Sequence, residues 1–494
     1  MRLGRSSGVL LHPTSLPSAW GVGDLGPAAF RFVDLMSAAR QSLWQILPLT
    51  PVGDHGSPYS AHSLFAGNPL LLSPEVLLTD RYLSELPGVT PGSGPEMVDY
   101  PDSIDFKERL VERAYNLSFD KTRGGKEYSE FCGQNAPWLD DFALYEALSR
   151  AYGRPWVLWP EALRRRETKT LEEKRSVLDF HVQKAKFAQY LFHQQWSSLK
   201  AYALSKGIRI LGDVPFYVLH DSSDTWAHPE LFKVDAQGNA IFVGGVPPDY
   251  FSKTGQRWGN PVYDWQRLEE TGYSWWKARV SRGLQDADFL RLDHFRGYVA
   301  YWEIPAESST AETGEWVPLP ETFLDVLRSG FPDLPFVAED LGVITDDVRR
   351  AIDYLGIPGM KVLQFAFDGS SDNPHLPPNH TKNSLVCTGT HDTNTTLGWF
   401  TQEATTKEKN ALEAYLGRSV SSDSVCSDFL EMAMGSVSDI CVLPFQDLLG
   451  LGADARMNNP GTTVGNWRWR ALPEALTEAK FRLLEELTVS AGRT

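Results

Sequence analysis

Eight short apolar runs constrain this chain more than anything else in it: 8–12, 43–48, 208–213, 360–365, 440–445, and the runs that end at Asp293, Glu339 and Asp392. Runs of this length suit strands covered on both faces, and helical patterns or long insertions separate them. The arrangement predicts an α/β chain folded as a (β/α)8 TIM barrel. Residues 27–40 repeat apolar positions at helical spacing, with Asp24 as a start signal. Stretches 183–205, 345–354, 407–416 and 472–487 read the same way. The last follows the eighth strand and closes the barrel, so no separate C-terminal β-sandwich domain is expected.

Two connections are too long to be simple loops. Residues 50–182 hold a Pro/Gly/Ser-rich stretch and then helical material, which predicts a mainly helical subdomain inserted after strand two. Residues 214–286 are dense in Pro, Gly and aromatics, which predicts a second inserted subdomain after strand three, with a lid loop at 245–258. The chain 1–494 is then a single barrel whose insertions surround one face.

A barrel of parallel strands brings its strand ends to one rim, so the carboxylates that end three of the runs are expected to meet. A lone Asp at a strand end is usually a turn former. Three on one barrel point instead to glycoside chemistry, in which two carboxyl groups flank the scissile bond. Arg291 precedes Asp293 by two residues and so lies on the same side of the strand. A guanidinium there favours the ionised carboxylate that a nucleophile needs. Glu339 follows Phe336-Val337-Ala338. Apolar surroundings and a neighbouring negative charge would both raise its pKa, which suits a general acid. Asp392 is placed to meet positive charge at an anomeric carbon, and His391 to contact a sugar hydroxyl. Asp213, ending the third run, is divided between substrate contact and support of its turn.

Charge narrows the partners. With 47 basic against 63 acidic residues and a net charge of −16, neither nucleic acid nor an anionic membrane is an expected partner. A neutral substrate fits the 16 Trp, 17 Tyr and 25 Phe, of which roughly three quarters should be core. Cys132, Cys387, Cys426 and Cys441 lie far apart, so free thiols are expected rather than a zinc site or disulfides. No signal-type or membrane-spanning stretch is evident, which predicts a cytoplasmic protein. Two motifs are set aside. Gly21-Val22-Gly23-Asp24-Leu25-Gly26 matches a dinucleotide fingerprint but stands apart from its strand, and Asp235-Ala236-Gln237-Gly238-Asn239 reads as a hairpin turn.

The segments Phe289-Leu290-Arg291-Leu292-Asp293-His294-Phe295-Arg296-Gly297, Ala338-Glu339-Asp340-Leu341-Gly342 and Thr388-Gly389-Thr390-His391-Asp392 resemble the catalytic segments of the amylomaltase (4-α-glucanotransferase, disproportionating enzyme) family of the α-amylase clan. Ser57-Pro58-Tyr59-Ser60, Gly212-Asp213-Val214-Pro215-Phe216 and Arg456-Met457-Asn458 agree as well, and the likeness spans nearly the whole chain. The resemblance implies a retaining double displacement with Asp293 as nucleophile, Glu339 as acid and base, and Asp392 as transition-state stabiliser. It implies substrate contacts from Ser57, Tyr59, Asp213, Arg291, His294, Asp340, His391 and Asn458. On the acceptor side it implies Asp249, Tyr250, Phe251, Gln256 and Trp258. The substrates it implies are α-1,4-glucans (maltooligosaccharides, amylose, starch or glycogen), with no cofactor, no metal, and a monomer or weak homo-oligomer.

Rival readings remain at this stage. A hydrolytic α-glucosidase or α-amylase would use the same carboxylates. A metal-dependent barrel hydrolase would draw on His12, Asp213, Asp293, His294 and His391, although no metal-binding spacing supports it. A non-catalytic glycan-binding protein would use the aromatics alone.

Overall fold

The computed structural model describes residues 4–53, 55–88, 94, 96–248, 253–342 and 344–493. In chain order the strands are β1 (Ser6–Leu10), β2 (Leu43–Gln45), β3 (Arg209–Val214), β4 (Phe242–Val246), β5 (Gln256–Pro261), β6 (Phe289–Leu292), β7 (Ala300–Pro305), β8 (Glu315–Pro318), β9 (Phe336–Ala338), β10 (Gly359–Val362), β11 (Ser384–Cys387) and β12 (Ile440–Pro444). Eight of them form one parallel sheet in the order β10-β11-β12-β1-β2-β3-β6-β9, one strand for each apolar run. Ala338 N donates to Pro358 O at 2.8 Å, beside the start of β10, and this bond closes the ring. The (β/α)8 barrel is therefore formed. Its strands are buried along their length because helices cover the outside while side chains fill the inside. Where β1 and β2 approach most closely the chain has Gly8; a Cβ there would stand 2.2 Å from the Leu43 carbonyl oxygen.

The helices follow the apolar periodicity with shifted ends. Pro27–Ala38, Asp179–Ser205, Asp346–Leu355 and Thr406–Leu416 lie where helices were expected. The final one is Glu478–Ser490, displaced because Pro473–Ala475 forms a separate 3-10 turn before it. Asp24 does not cap the first helix. Its carboxylate is buried, accepts from Ser18 Oγ and Gly26 N, and lies 3.7 Å from the buried Lys107 ammonium. The Asp235–Asn239 turn is a hairpin: Val234 bridges Ala240, and Asp235 Oδ1 accepts from Gln237 N and Asn239 N.

Between β2 and β3 stand the long helices Tyr100–Arg123, Lys126–Tyr152 and Asp179–Ser205. A second apolar core gathers Leu144, Tyr145, Leu148, Trp156 and Trp159 from this region around Trp226, which comes from the connection after β3. The expected loop 245–258 has strand at both ends, β4 through Val246 and β5 from Gln256, and the two strands pair antiparallel. A third insertion, between β6 and β9, supplies β7 and β8. Together the strands form a four-stranded antiparallel sheet in the order β5-β4-β7-β8. Its pairing of β4 with β7 joins segments more than 50 residues apart, which periodicity within a short window does not register. Among the described residues no helix is long and apolar enough to cross a membrane.

The end of the barrel away from the strand C-termini is tied by two arginines. Arg493 is fully buried and donates to the carbonyls of Met434, Ser6 and Ser436 at 2.8, 3.1 and 2.9 Å, while Arg5 reaches Ala491 O and Ser436 O. Arg493→Ala would leave a cavity and buried carbonyls short of donors. The expected cost is about 3 to 5 kcal/mol of stability. It should be read as a lowered denaturant midpoint at unchanged slope.

Candidate active site

Register places the first two carboxylates side by side. β6 and β9 run parallel with Leu292 opposite Ala338, so Asp293 and Glu339 leave adjacent strands at the same height, about 4.8 Å apart in backbone spacing. Asp293 N donates to Val214 O, Glu339 N to Leu292 O and Phe295 N to Glu339 O, each at 3.1 Å, so the ladder continues past the strand ends and fixes both residues. His294 N donates to Glu339 Oε2 at 2.7 Å. That bond requires a sharp turn, and His294 takes a left-handed backbone with φ 49°. A non-glycine residue in this region stores strain that the surrounding structure must hold in place.

Arg291 organises the charges. Its Nη1 donates to Asp293 Oδ1 at 2.8 Å and to Asp213 Oδ2 at 2.8 Å, and its side chain is 4% exposed. Asp213 also accepts from the Tyr59 hydroxyl at 2.7 Å. Burial raises its carboxyl against the pull of Arg291. The Asp213 carboxylate has no exposure of its own and is held by Arg291 and Tyr59.

One guanidinium cannot neutralise every carboxylate around it. Burial pushes Glu339 up to about 8 and outweighs the Arg291 charge, with Asp293 adding to the rise and the His294 N–H opposing it. At neutral pH Glu339 thus holds a proton beside Asp293, which remains 25% exposed to the cleft.

Asp392 enters from the β11 side. Burial would raise its carboxyl, but His391, the Asn458 amide and Arg291 outweigh burial and hold it well below the usual carboxylate range. Its side chain is 44% exposed, so water screens part of this effect. Asn458 Nδ2 donates to Asp392 Oδ1 at 2.6 Å, and Asn458 N donates to His391 O. The His391 ring stacks on Tyr59 at 5.2 Å. Asp392, His391, Tyr59, Asp213, Arg291, Asp293 and Glu339 therefore form one connected arc at the barrel mouth.

The remaining expected residues divide. His294 is neutral, its pKa lowered by burial to about 4, and its buried Nε2 has no protein partner. Trp258, from β5, meets the His294 ring edge-on at 5.0 Å and donates from Nε1 to Gln256 Oε1 at 3.1 Å. Ser57 Oγ accepts from Tyr59 N, so it supports Tyr59. Asp340 is half-buried, and its Oδ1 accepts from Met360 N at 2.6 Å, at the start of β10. Asp249, Tyr250 and Phe251 lie outside the described residues.

Two neighbours were not named as site residues from the sequence, although Arg456 stands in a segment quoted for the resemblance. Arg456 donates to Asp392 O, and Trp467 lies 5.7 Å from Tyr59 and 5.8 Å from His391. Among the described residues no group of three or more His, Cys, Asp or Glu is arranged to hold a metal ion.

Known proteins resemble the chain throughout its length. The family model for 4-alpha-glucanotransferase matches residues 11–475. The 4-alpha-glucanotransferase of Synechocystis sp. is 44% identical over 99% of this chain and 98% of its own, and that of Thermus thermophilus 44% identical over 99% of each. The amylomaltase of Streptococcus agalactiae, solved in complex with acarbose, superposes with a TM-score of 0.95 at 37% identity over 99% of both chains. The carboxylate rim sits on a scaffold shared from end to end with these relatives, and the chain belongs to the 4-alpha-glucanotransferase family.

Proposed function

We propose that the chain moves α-1,4-glucan segments from a donor glucan to the 4-hydroxyl of another glucan or of glucose, by a retaining double displacement. The observation that carries the reading is the placing of two adjacent carboxyl groups in unlike surroundings: Asp293 faces the cleft bound to Arg291, while Glu339 accepts from His294 N and burial pushes its carboxyl up to about 8. Adjacent strands also suit the short separation of about 5 to 5.5 Å that retaining chemistry needs.

In the first step Glu339 protonates the glycosidic oxygen as it leaves, and an Asp293 oxygen bonds to the anomeric carbon to give a covalent glucosyl ester. Asp392, held ionised by His391 and Asn458, stabilises the positive charge that builds on the sugar ring as the bond breaks. In the second step Glu339, now a carboxylate, takes the proton of the incoming 4-hydroxyl, whose oxygen displaces Asp293 with a second inversion.

Tyr59, His391 and Arg291 are the proposed contacts to the glucose at the cleaved bond. His294, beside Asp293 and packed against Trp258, is proposed to line the same cleft. Gln256 and Trp258, with Tyr250 and Phe251, are the proposed acceptor side. A Trp258 hairpin beside the nucleophile favours a sugar hydroxyl over water because it supplies a sugar-binding face and shields the ester. Acarbose binding by the S. agalactiae relative supports an α-glucan as the ligand of this cleft.

Incubation with maltotriose followed by product sizing tests the reaction. Transfer gives glucose together with maltopentaose and longer chains. Glucose and maltose alone would show a hydrolase and end the transferase reading.

A further inference from the structure

The outer edge of the antiparallel sheet carries an aromatic group that the chemistry above does not use. Trp302 on β7 and Trp316 on β8 are paired residues in the ladder, and their rings meet at 5.3 Å with an interplanar angle of 68°. Their neighbours Tyr301 and Glu303 alternate to the opposite face, where Tyr301 OH and Lys233 both donate to Glu303. Trp302 is fixed in turn: Nε1 donates to Ala311 O at 2.9 Å, and Ala311 N donates to Thr254 O at 3.1 Å, on the hairpin between β4 and β5.

Trp316 is 39% exposed although one of its faces is already taken. The Arg296 guanidinium lies 4.3 Å from the ring centre and is itself held by Asp347 Oδ2 at 2.9 Å and Thr345 Oγ1 at 3.0 Å. A cation fixed over the ring and a tryptophan set at 68° to it hold Trp316 rigid while it stays 39% exposed to solvent. Arg296 is three residues beyond Asp293, so its backbone lies within roughly 11 Å of the nucleophile position. The platform is thus tied through Arg296 to the segment that carries Asp293.

We infer that Trp316, backed by Trp302 and Arg296, binds a distal sugar ring of a long α-glucan chain whose reacting bond lies at Asp293. The inference rests on the α-glucan reading proposed above. A glucan is favoured over a second copy of this chain because β8 is an edge strand bounded by Glu315 and Pro318, which disfavour the addition of another strand. A neutral ring that presents C–H groups suits the exposed indole, and its hydroxyls stay in water.

The test compares wild type with Trp316→Ala and Trp316→Phe on amylose and on maltotriose, together with retardation of each protein by amylose in native electrophoresis. The expected result is a rise in KM for amylose, and weaker retardation, of about five- to tenfold for Trp316→Ala, the scale of one lost ring contact. The Phe variant should fall between the two. Turnover of maltotriose, which offers far fewer rings than amylose, should stay within about twofold. Equal losses on both substrates, or unchanged amylose retardation, overturn the platform. So does a wild-type dimer that dissociates on Trp316→Ala with glucan retardation unaltered. A wild type that leaves maltotriose intact strikes at the transfer reading instead, while retardation by amylose still tests the platform.

Discussion

Asp293→Asn is expected to lower kcat on maltotriose by about 10⁴-fold while leaving the protein folded and able to bind glucan. The substitution is nearly isosteric, and its amide oxygen can still accept from Arg291 Nη1, which the carboxylate now meets at 2.8 Å. Arg291 keeps its second anion, Asp213, so no buried cation is stranded. What disappears is an anionic oxygen able to bond to the anomeric carbon. The loss should therefore fall on kcat, with little change in the retardation of the variant by amylose. Residual activity above about a hundredth of wild type would remove Asp293 from the nucleophile's role.

How much of this was legible in the sequence follows from which interactions are local. The barrel strands were readable because a strand covered on both faces must be apolar along its length, as in Ile440–Pro444. Asp293 and Glu339 were readable because each ends such a strand, and parallel register puts strand ends together. Arg291 reaches Asp293 because the pleat returns every second residue to the same side. The failures are of another kind. The β4–β7 pairing, the stacking of Tyr59 on His391 and the hold of Arg456 on the Asp392 carbonyl each join residues brought together only by the closed barrel. Asp213 and Asp340 share the strand-end signature of Asp293 and Glu339, yet one is held beneath Arg291 and Tyr59 and the other accepts from Met360 N. Position along a strand shows that a carboxylate reaches the rim, and its partners decide whether it faces the cleft.

Those partners also fix what Glu339 does, which makes Glu339→Gln the second decisive variant. A carboxyl raised by burial to about 8 is protonated through the neutral range, so the first step in wild type should be flat with pH there. Above pH 8 it should fall about tenfold per unit as the acid form is lost. Glutamine can neither give nor take that proton. On maltotriose, whose leaving group needs protonation, the expected loss is about 10³-fold or more, and the alkaline limb should vanish with the residue that titrates. A donor with a good leaving group, such as an α-glucosyl fluoride, escapes the first requirement. The ester to Asp293 should then form at a rate within about tenfold of wild type and accumulate, because no base remains to activate the acceptor. Intact-mass measurement would show one added glucosyl unit on Glu339→Gln and none on Glu339→Gln with Asp293→Asn. Equal losses on both donors, or an alkaline limb that survives in the variant, would assign the proton transfer to another group.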